Sequence, residues 1–148
     1  MKKKLLSKKK FKSIYTKVPR LCVELVIIKN GKILLTKRSI PPLKGFWHIP
    51  GKGVLFREKI KESIARTAKK ELGIKVYQEK FLGYAESLKD GFRHGVSLIF
   101  KCKIDKNQKL KTLEGASEFK FFNKLPKKIV PFHKKFLKIH FKNFLREI

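Results

Sequence analysis

Three features of the chain predict a single α/β domain built on a mixed sheet. Residues 21–28 (LCVELVII) are apolar almost throughout, as a central strand would be. Asn30-Gly31 follows, a strong hairpin signal, and residues 32–37 (KILLTK) read as the returning strand. Between residues 58 and 72, Ile60, Ile64, Ala68 and Leu72 recur every four positions and give a helix one apolar face. A length of 148 residues suits one domain, and an apolar content of 42% supplies one ordinary core.

Taken in order, residues 1–20 carry nine basic side chains and no acidic ones. Self-repulsion argues for a flexible basic arm, which divides the chain into an arm at 1–17 and a domain at 18–148. Leu5, Leu6, Phe11 and Ile14 offer only weak local packing. After the hairpin, Ile40-Pro41-Pro42 to Gly45 reads as a loop, and residues 46–49 (FWHI) as a short strand ended by Pro50-Gly51. Gly73 stands where a helix C-cap glycine belongs. Residues 77–87 form the next strand, Lys89-Asp90-Gly91 a turn, and residues 95–104 (GVSLIFKCKI) another strand. A loop at 105–113 leads to a short strand at 118–122. Residues 131–147 read as a basic amphipathic helix, with Phe132, Phe136, either Ile139 or His140, and Phe144 on one side. There is no internal repeat.

The formal charge is +28. Such a surface adheres to polyanions at low salt, because neutralised phosphates release counterions. Of the basic residues 33 are Lys and 6 are Arg, and they are spread along the chain. Geometric recognition of phosphate favours arginine's planar fork. The charge therefore predicts non-specific, salt-sensitive contact with nucleic acid. No run approaches the length of a membrane-spanning helix, and the basic start lacks the apolar stretch of a signal peptide. Cys22 and Cys102 lie far apart in apolar runs, without zinc-ligand spacing. Two buried, reduced thiols fit a cytoplasmic location.

Residues 51–74 (GKGVLFREKIKESIARTAKKELGI) resemble a Nudix box with substitutions. That pattern is Gly, five residues, Glu, seven residues, then Arg-Glu-apolar-any-Glu-Glu-any-Gly-apolar. Glu58, Arg66, Ala68, Glu71, Gly73 and Ile74 fall in register. Lys52 stands at the box glycine, and Thr67 and Lys70 stand at two of the helix glutamates. Flanking residues extend the resemblance: Lys37-Arg38, Gly45-Phe46-Trp47 and Pro50-Gly51 before the box, and Leu125-Pro126 to Pro131-Phe132 and a helix after it. The resemblance implies an α/β/α sandwich with a mixed sheet. It implies a nucleotide-type substrate, a divalent Mg²⁺ or Mn²⁺ ion, and often a homodimer.

The chemistry needs carboxylates, because hard cations prefer oxygen ligands and bridge phosphate to protein. In a helix, positions 67, 70 and 71 share a face. The resemblance makes Glu71 the surviving metal ligand and the carbonyl of Gly51 a second. An ordinary surface glutamate paired with Lys75 or Lys69, and a plain tight turn after Pro50, are the alternatives. It makes Arg66 and Glu58 an ion pair bracing the loop on the helix. Lys70 either contacts a substrate phosphate or points to solvent. Lys52 is either strained, if the site needs a positive φ, or one more phosphate-facing charge. The same run resembles the GDP-mannose hydrolases within the family, in which Arg38 matches a phosphate-contacting arginine and Glu24 lies near an acidic strand residue. The catalytic histidine of that subgroup is unmatched. Glu114 and Glu118, in LEGASEF, are the late-loop candidates for metal ligand or general base. His94 is a candidate for phosphate or base contact, and Trp47 for packing or for stacking on a base.

Two functions follow. One is hydrolysis of a nucleoside diphosphate linked to another moiety, such as a nucleotide sugar, with one divalent ion on Gly51 and Glu71. The other is a catalytically impaired Nudix-fold module that binds nucleotide or RNA. A structural role, with the terminal helix docking a partner, is the third and weakest reading.

Overall fold

The computed structural model describes residues 5–145. An eight-residue helix, α1 (Lys8–Tyr15), opens it, followed by β1 (Arg20–Lys29), β2 (Lys32–Arg38), β3 (Trp47–His48) and β4 (Gly51–Gly53). Then come α2 (Ile60–Leu72), β5 (Tyr77–Asp90), β6 (Arg93–Lys103), β7 (Ala116–Phe122) and α3 (Pro131–Leu145). The strands form one mixed seven-stranded sheet in the order β3-β2-β1-β6-β5, with β4 paired to β1 and β7 to β2. β1 and β6 run parallel from Arg20↔Gly95 to Ile27↔Cys102. The other pairings between named strands are antiparallel.

β1 explains the layering. Its side chains alternate, so Val23, Leu25 and Ile27 pack with Ile64, Ala68 and Leu72 of α2. Val26 instead joins Ile99, Phe136, Leu137 and Phe144 on the α3 side. A strand buried on both faces has no polar side to show, which is why it reads as a continuous apolar run. The result is the α/β/α sandwich with a mixed sheet that the sequence predicts.

Two local outcomes differ from expectation. First, α1 forms inside the segment read as a basic arm. Ser7 caps it by accepting a hydrogen bond from the Lys10 N–H at 3.2 Å. None of its residues is buried, so aromatic contacts hold it instead. The Phe11 ring lies 4.8 Å from that of Tyr15 and 6.2 Å from that of Phe92. Second, the chain forms a further strand, β4, from Gly51, where the sequence predicts that the preceding strand has ended at Pro50-Gly51. Of the two alternatives left open on the inner side of α3, His140 takes the place, stacked 4.3 Å from Phe136, and Ile139 is exposed.

Elsewhere, α2 ends at Gly73 with φ +67°, the left-handed cap its position predicts. β5 ends the strand order and exposes Tyr77, Phe81, Tyr84 and Leu88. Both cysteines are free: Cys102 is buried, whereas Cys22 is only partly so. No described helix is long and apolar enough to cross a membrane.

Candidate active site

The site grows from β4. Gly51 lies opposite Glu24 on β1, so close that an added Cβ would stand 2.5 Å from Glu24 Cγ and 2.7 Å from the Val23 carbonyl oxygen. A Cβ on Gly53 would collide with the Arg20 guanidinium. Lys52 alone carries a side chain in this strand. It does not adopt a positive φ, so of its two expected alternatives the strained one does not arise. It is not simply one more phosphate-facing charge either. Its Nζ stands 2.5 Å from Glu114 Oε2 and 3.7 Å from Glu71 Oε1.

α2 supplies Glu71, which is 8% exposed. Burial pushes its carboxyl up to about 7, against the pull of Lys52 and with a further push from Glu114. The Lys52 hydrogen bond holds Glu114 below the ordinary range. Thr67 shares the buried face, and its hydroxyl has no partner among the described residues. Lys70 is exposed; its charge reaches Glu114 but it does not line the cavity described below. One turn earlier, Arg66 braces the loop. Its Nε donates to Glu58 Oε2 at 2.8 Å, and its Nη2 donates to Glu58 Oε1 at 3.0 Å and to the Gly53 carbonyl at 2.7 Å. Partial burial opposes the charge of Glu58, but these bonds and the Leu55 N–H outweigh it and lower its pKa. The loop between β4 and α2 does fold back for this contact.

Beside Lys52 lies a cavity of about 120 Å³. Arg20, Arg38 and Arg93 line it, so three of the chain's six arginines meet at one place although the lysines are scattered. Phe11 holds Arg20, its ring centroid 4.6 Å from the guanidinium carbon. Arg93 is paired with Asp90 at 2.8 Å, and Arg38 Nε donates to the Pro42 carbonyl at 2.6 Å. The cavity wall also carries a buried polar chain. Glu24, 6% exposed, accepts the Ser97 hydroxyl at 2.8 Å, and its other oxygen lies 2.6 Å from His133 Nε2. His133 Nδ1 accepts the Ile49 N–H at 3.0 Å, so a neutral ring carries its proton on Nε2, facing Glu24. His48 Nδ1 faces the Ile49 carbonyl at 2.9 Å and must be the protonated nitrogen, leaving Nε2 to accept from Thr36. Burial, then the neighbouring His133, lowers the pKa of His48 to about 3.

Not every residue singled out in the sequence lines this cavity: Glu71 and Glu114 stand outside its lining and connect to it through Lys52. His94 sits between Arg93 and Gly95, both of which line the cavity, so strand alternation turns it to the other face. Glu118 is half exposed on β7 and pairs with Lys37 at 3.5 Å. Trp47 packs edge-on against Phe122 at 4.8 Å. Arg20, Arg93, His133 and Ser97 carried no sequence signal as site residues. A lone acid in an apolar strand does announce Glu24, since a buried carboxylate needs partners.

Nudix hydrolases use divalent metals, but these residues do not fit a cluster of metal-binding carboxylates. The two acids that converge, Glu71 and Glu114, already share an ammonium. Among the described residues no group of three or more His, Cys, Asp or Glu side chains gathers to hold an ion.

Known proteins resemble the chain along most of its length. An ADP-ribose pyrophosphatase of Methanocaldococcus jannaschii is 33% identical over 129 residues, 84% of this chain and 76% of that protein. The low-salt glycan biosynthesis protein Agl8 of Haloferax volcanii is 31% identical over 102 residues, 64% of this chain and 65% of that protein. Among solved structures, a MutT NUDIX hydrolase from Burkholderia pseudomallei superposes with a TM-score of 0.74 at 23% identity, covering 82% of this chain and 98% of its own. The NUDIX domain of Shewanella oneidensis NrtR, solved with ADP ribose, gives 0.70 at 16% identity, covering 93% and 99%. At such identities the two structures attest the fold alone. The sequence signature of the NUDIX domain matches residues 19–138, and with the relatives above it makes this chain a member of the Nudix family.

Proposed function

We propose that the protein hydrolyses a nucleoside diphosphate linked to a sugar, of the ADP-ribose or nucleotide-sugar class. The carrying observation is the convergence of Arg20, Arg38 and Arg93 on one cavity that Lys52 also lines, with Glu71 3.7 Å from the Lys52 ammonium. Three planar guanidinium groups suit a diphosphate, whose oxygens accept paired hydrogen bonds. The reaction adds water across the P–O–P bridge. The water oxygen bonds to one phosphorus, the bond from that phosphorus to the bridging oxygen breaks, and two phosphate monoesters leave. The water proton passes to a carboxylate. Glu71 is the preferred acceptor, because a carboxyl raised to about 7 is partly ionised at neutral pH and still basic enough to take a proton. Glu114, beside it, is the second candidate, held more firmly as a salt-bridge partner of Lys52. The names of the pyrophosphatase and glycan-biosynthesis relatives support the substrate class.

The test is product release from a panel of nucleoside diphosphate sugars, ADP-ribose included, in Mg²⁺, in Mn²⁺ and in EDTA. Nucleoside monophosphate and sugar phosphate should appear in equal amounts. Arg38→Ala should raise KM, and Glu71→Gln should lower kcat by about a hundredfold or more, the usual range for a general base. The salt bridges on Glu71 and Glu114 favour one other reading, a module that binds nucleotide without cleaving it. Tight binding with no product from any member of the panel would establish that reading instead.

A further inference from the structure

We infer that Lys52 is a tethered cation that takes the place of a divalent metal, so that the site binds a nucleoside diphosphate without any metal ion. The inference rests on the diphosphate reading of the cavity.

Lys52 is built into its place. β4 pairs with β1 at Val23↔Lys52, which fixes the register of the strand. Neither neighbour carries a side chain: one on Gly51 would meet the Val23 carbonyl and Glu24, and one on Gly53 would have to displace the Arg20 guanidinium. The one side chain the strand carries is therefore aimed by backbone pairing on both flanks. Its ammonium lies within 4 Å of both Glu71 and Glu114, with 23% of the side chain exposed. The residue also lines the cavity that Arg20, Arg38 and Arg93 line. An ammonium so placed bridges protein carboxylates and an incoming phosphate, as a hard cation would, and it cannot dissociate. A divalent ion entering the same space would meet that ammonium at close range, and among the described residues no third His, Cys, Asp or Glu side chain gathers with Glu71 and Glu114 to offset the repulsion. Lys70, on the exposed face of α2, adds positive potential at Glu114 and works against a second cation.

Two measurements on the full chain test this. The first is calorimetric binding of ADP-ribose in EDTA and in excess Mg²⁺, for the wild type, Lys52→Met and Lys52→Gly. The second is Mn²⁺ uptake without nucleotide, followed by loss of the free-ion electron paramagnetic resonance signal. The wild type should bind ADP-ribose equally in both buffers and leave the Mn²⁺ signal unchanged. Lys52→Met, which keeps the side-chain stem, should bind about tenfold or more weakly in EDTA, the loss of one charge-assisted bond. Lys52→Gly, which frees Glu71 and Glu114, should take up Mn²⁺ and make its ADP-ribose binding respond to metal. Circular dichroism checks that each variant is folded. Stoichiometric Mn²⁺ uptake by the wild type, or binding that collapses in EDTA, would overturn the inference. So would a folded Lys52→Met that binds as tightly as the wild type. Failure of every protein to bind ADP-ribose or a nucleotide sugar in either buffer would instead remove the diphosphate reading, and this inference with it.

Discussion

His48 shows what burial does to a single titratable side chain. Its ring is locked neutral between Thr36 and the Ile49 carbonyl, with a pKa of about 3 in place of 6.5. In acid the unfolded chain takes up a proton there that the fold refuses. The neutral ring thus contributes its full stability above pH 6.5, and that contribution is lost as pH falls toward 3. Between pH 7 and 4.5 this amounts to on the order of 2 kcal/mol. Urea unfolding at the two pH values should show it, and His48→Gln should flatten the difference by about that amount even if it is less stable at neutral pH. An unchanged difference would mean that other groups govern the acid limb. Lys52 illustrates another side of the residue scale. The box register marks it as a substitution, but its partners lie 19 and 62 residues further along the chain, so its role depends on folding.

At the level of elements, periodicity did well where side chains face a core. β1, β2, α2, β5, β6 and α3 follow from apolar spacing and turn residues, with ends shifted by a few positions. β4 did not, because Gly-Lys-Gly has no apolar pattern and becomes a strand only through pairing with Cys22, Val23 and Glu24. α1 was equally hidden. An eight-residue lysine-rich helix is marginal alone, and this one is held by Phe92 and Arg20, which only the tertiary fold brings near. The cavity was illegible for the same reason: Arg20 and Arg93 meet because β1 and β6 run parallel with Arg20 opposite Gly95. What the sequence did disclose was the box register, which located Gly51, Glu58, Arg66 and Glu71. α1 also lies outside the residues that match the family, yet it grips a cavity arginine. Phe11→Ala removes that cation–π contact, worth about 0.5–1 kcal/mol at an exposed site. ADP-ribose affinity should therefore fall about twofold to fivefold while the melting temperature barely moves, since α1 has no buried residue. A large melting shift with unchanged affinity would make α1 a stabilising element and not a positioning one.

The whole molecule carries a net charge of +28. Single-stranded RNA should bind at low salt with little regard to sequence. The logarithm of its affinity should fall linearly with log salt, by about 0.7 per phosphate contacted. Filter binding at several salt concentrations measures the slope. Tight, sequence-selective binding that survives physiological salt would instead favour the nucleic-acid-binding module over the hydrolase. The same charge has a colloidal role that β5 makes visible. This outer strand exposes Tyr77, Phe81, Tyr84 and Leu88. An outer strand with apolar side chains is a template on which another copy can add its own strand. Mutual repulsion between highly cationic surfaces keeps such edges apart in dilute buffer. A polyanion added to charge balance removes that barrier, so the protein should cloud near equivalence and clear again when the polyanion is in excess.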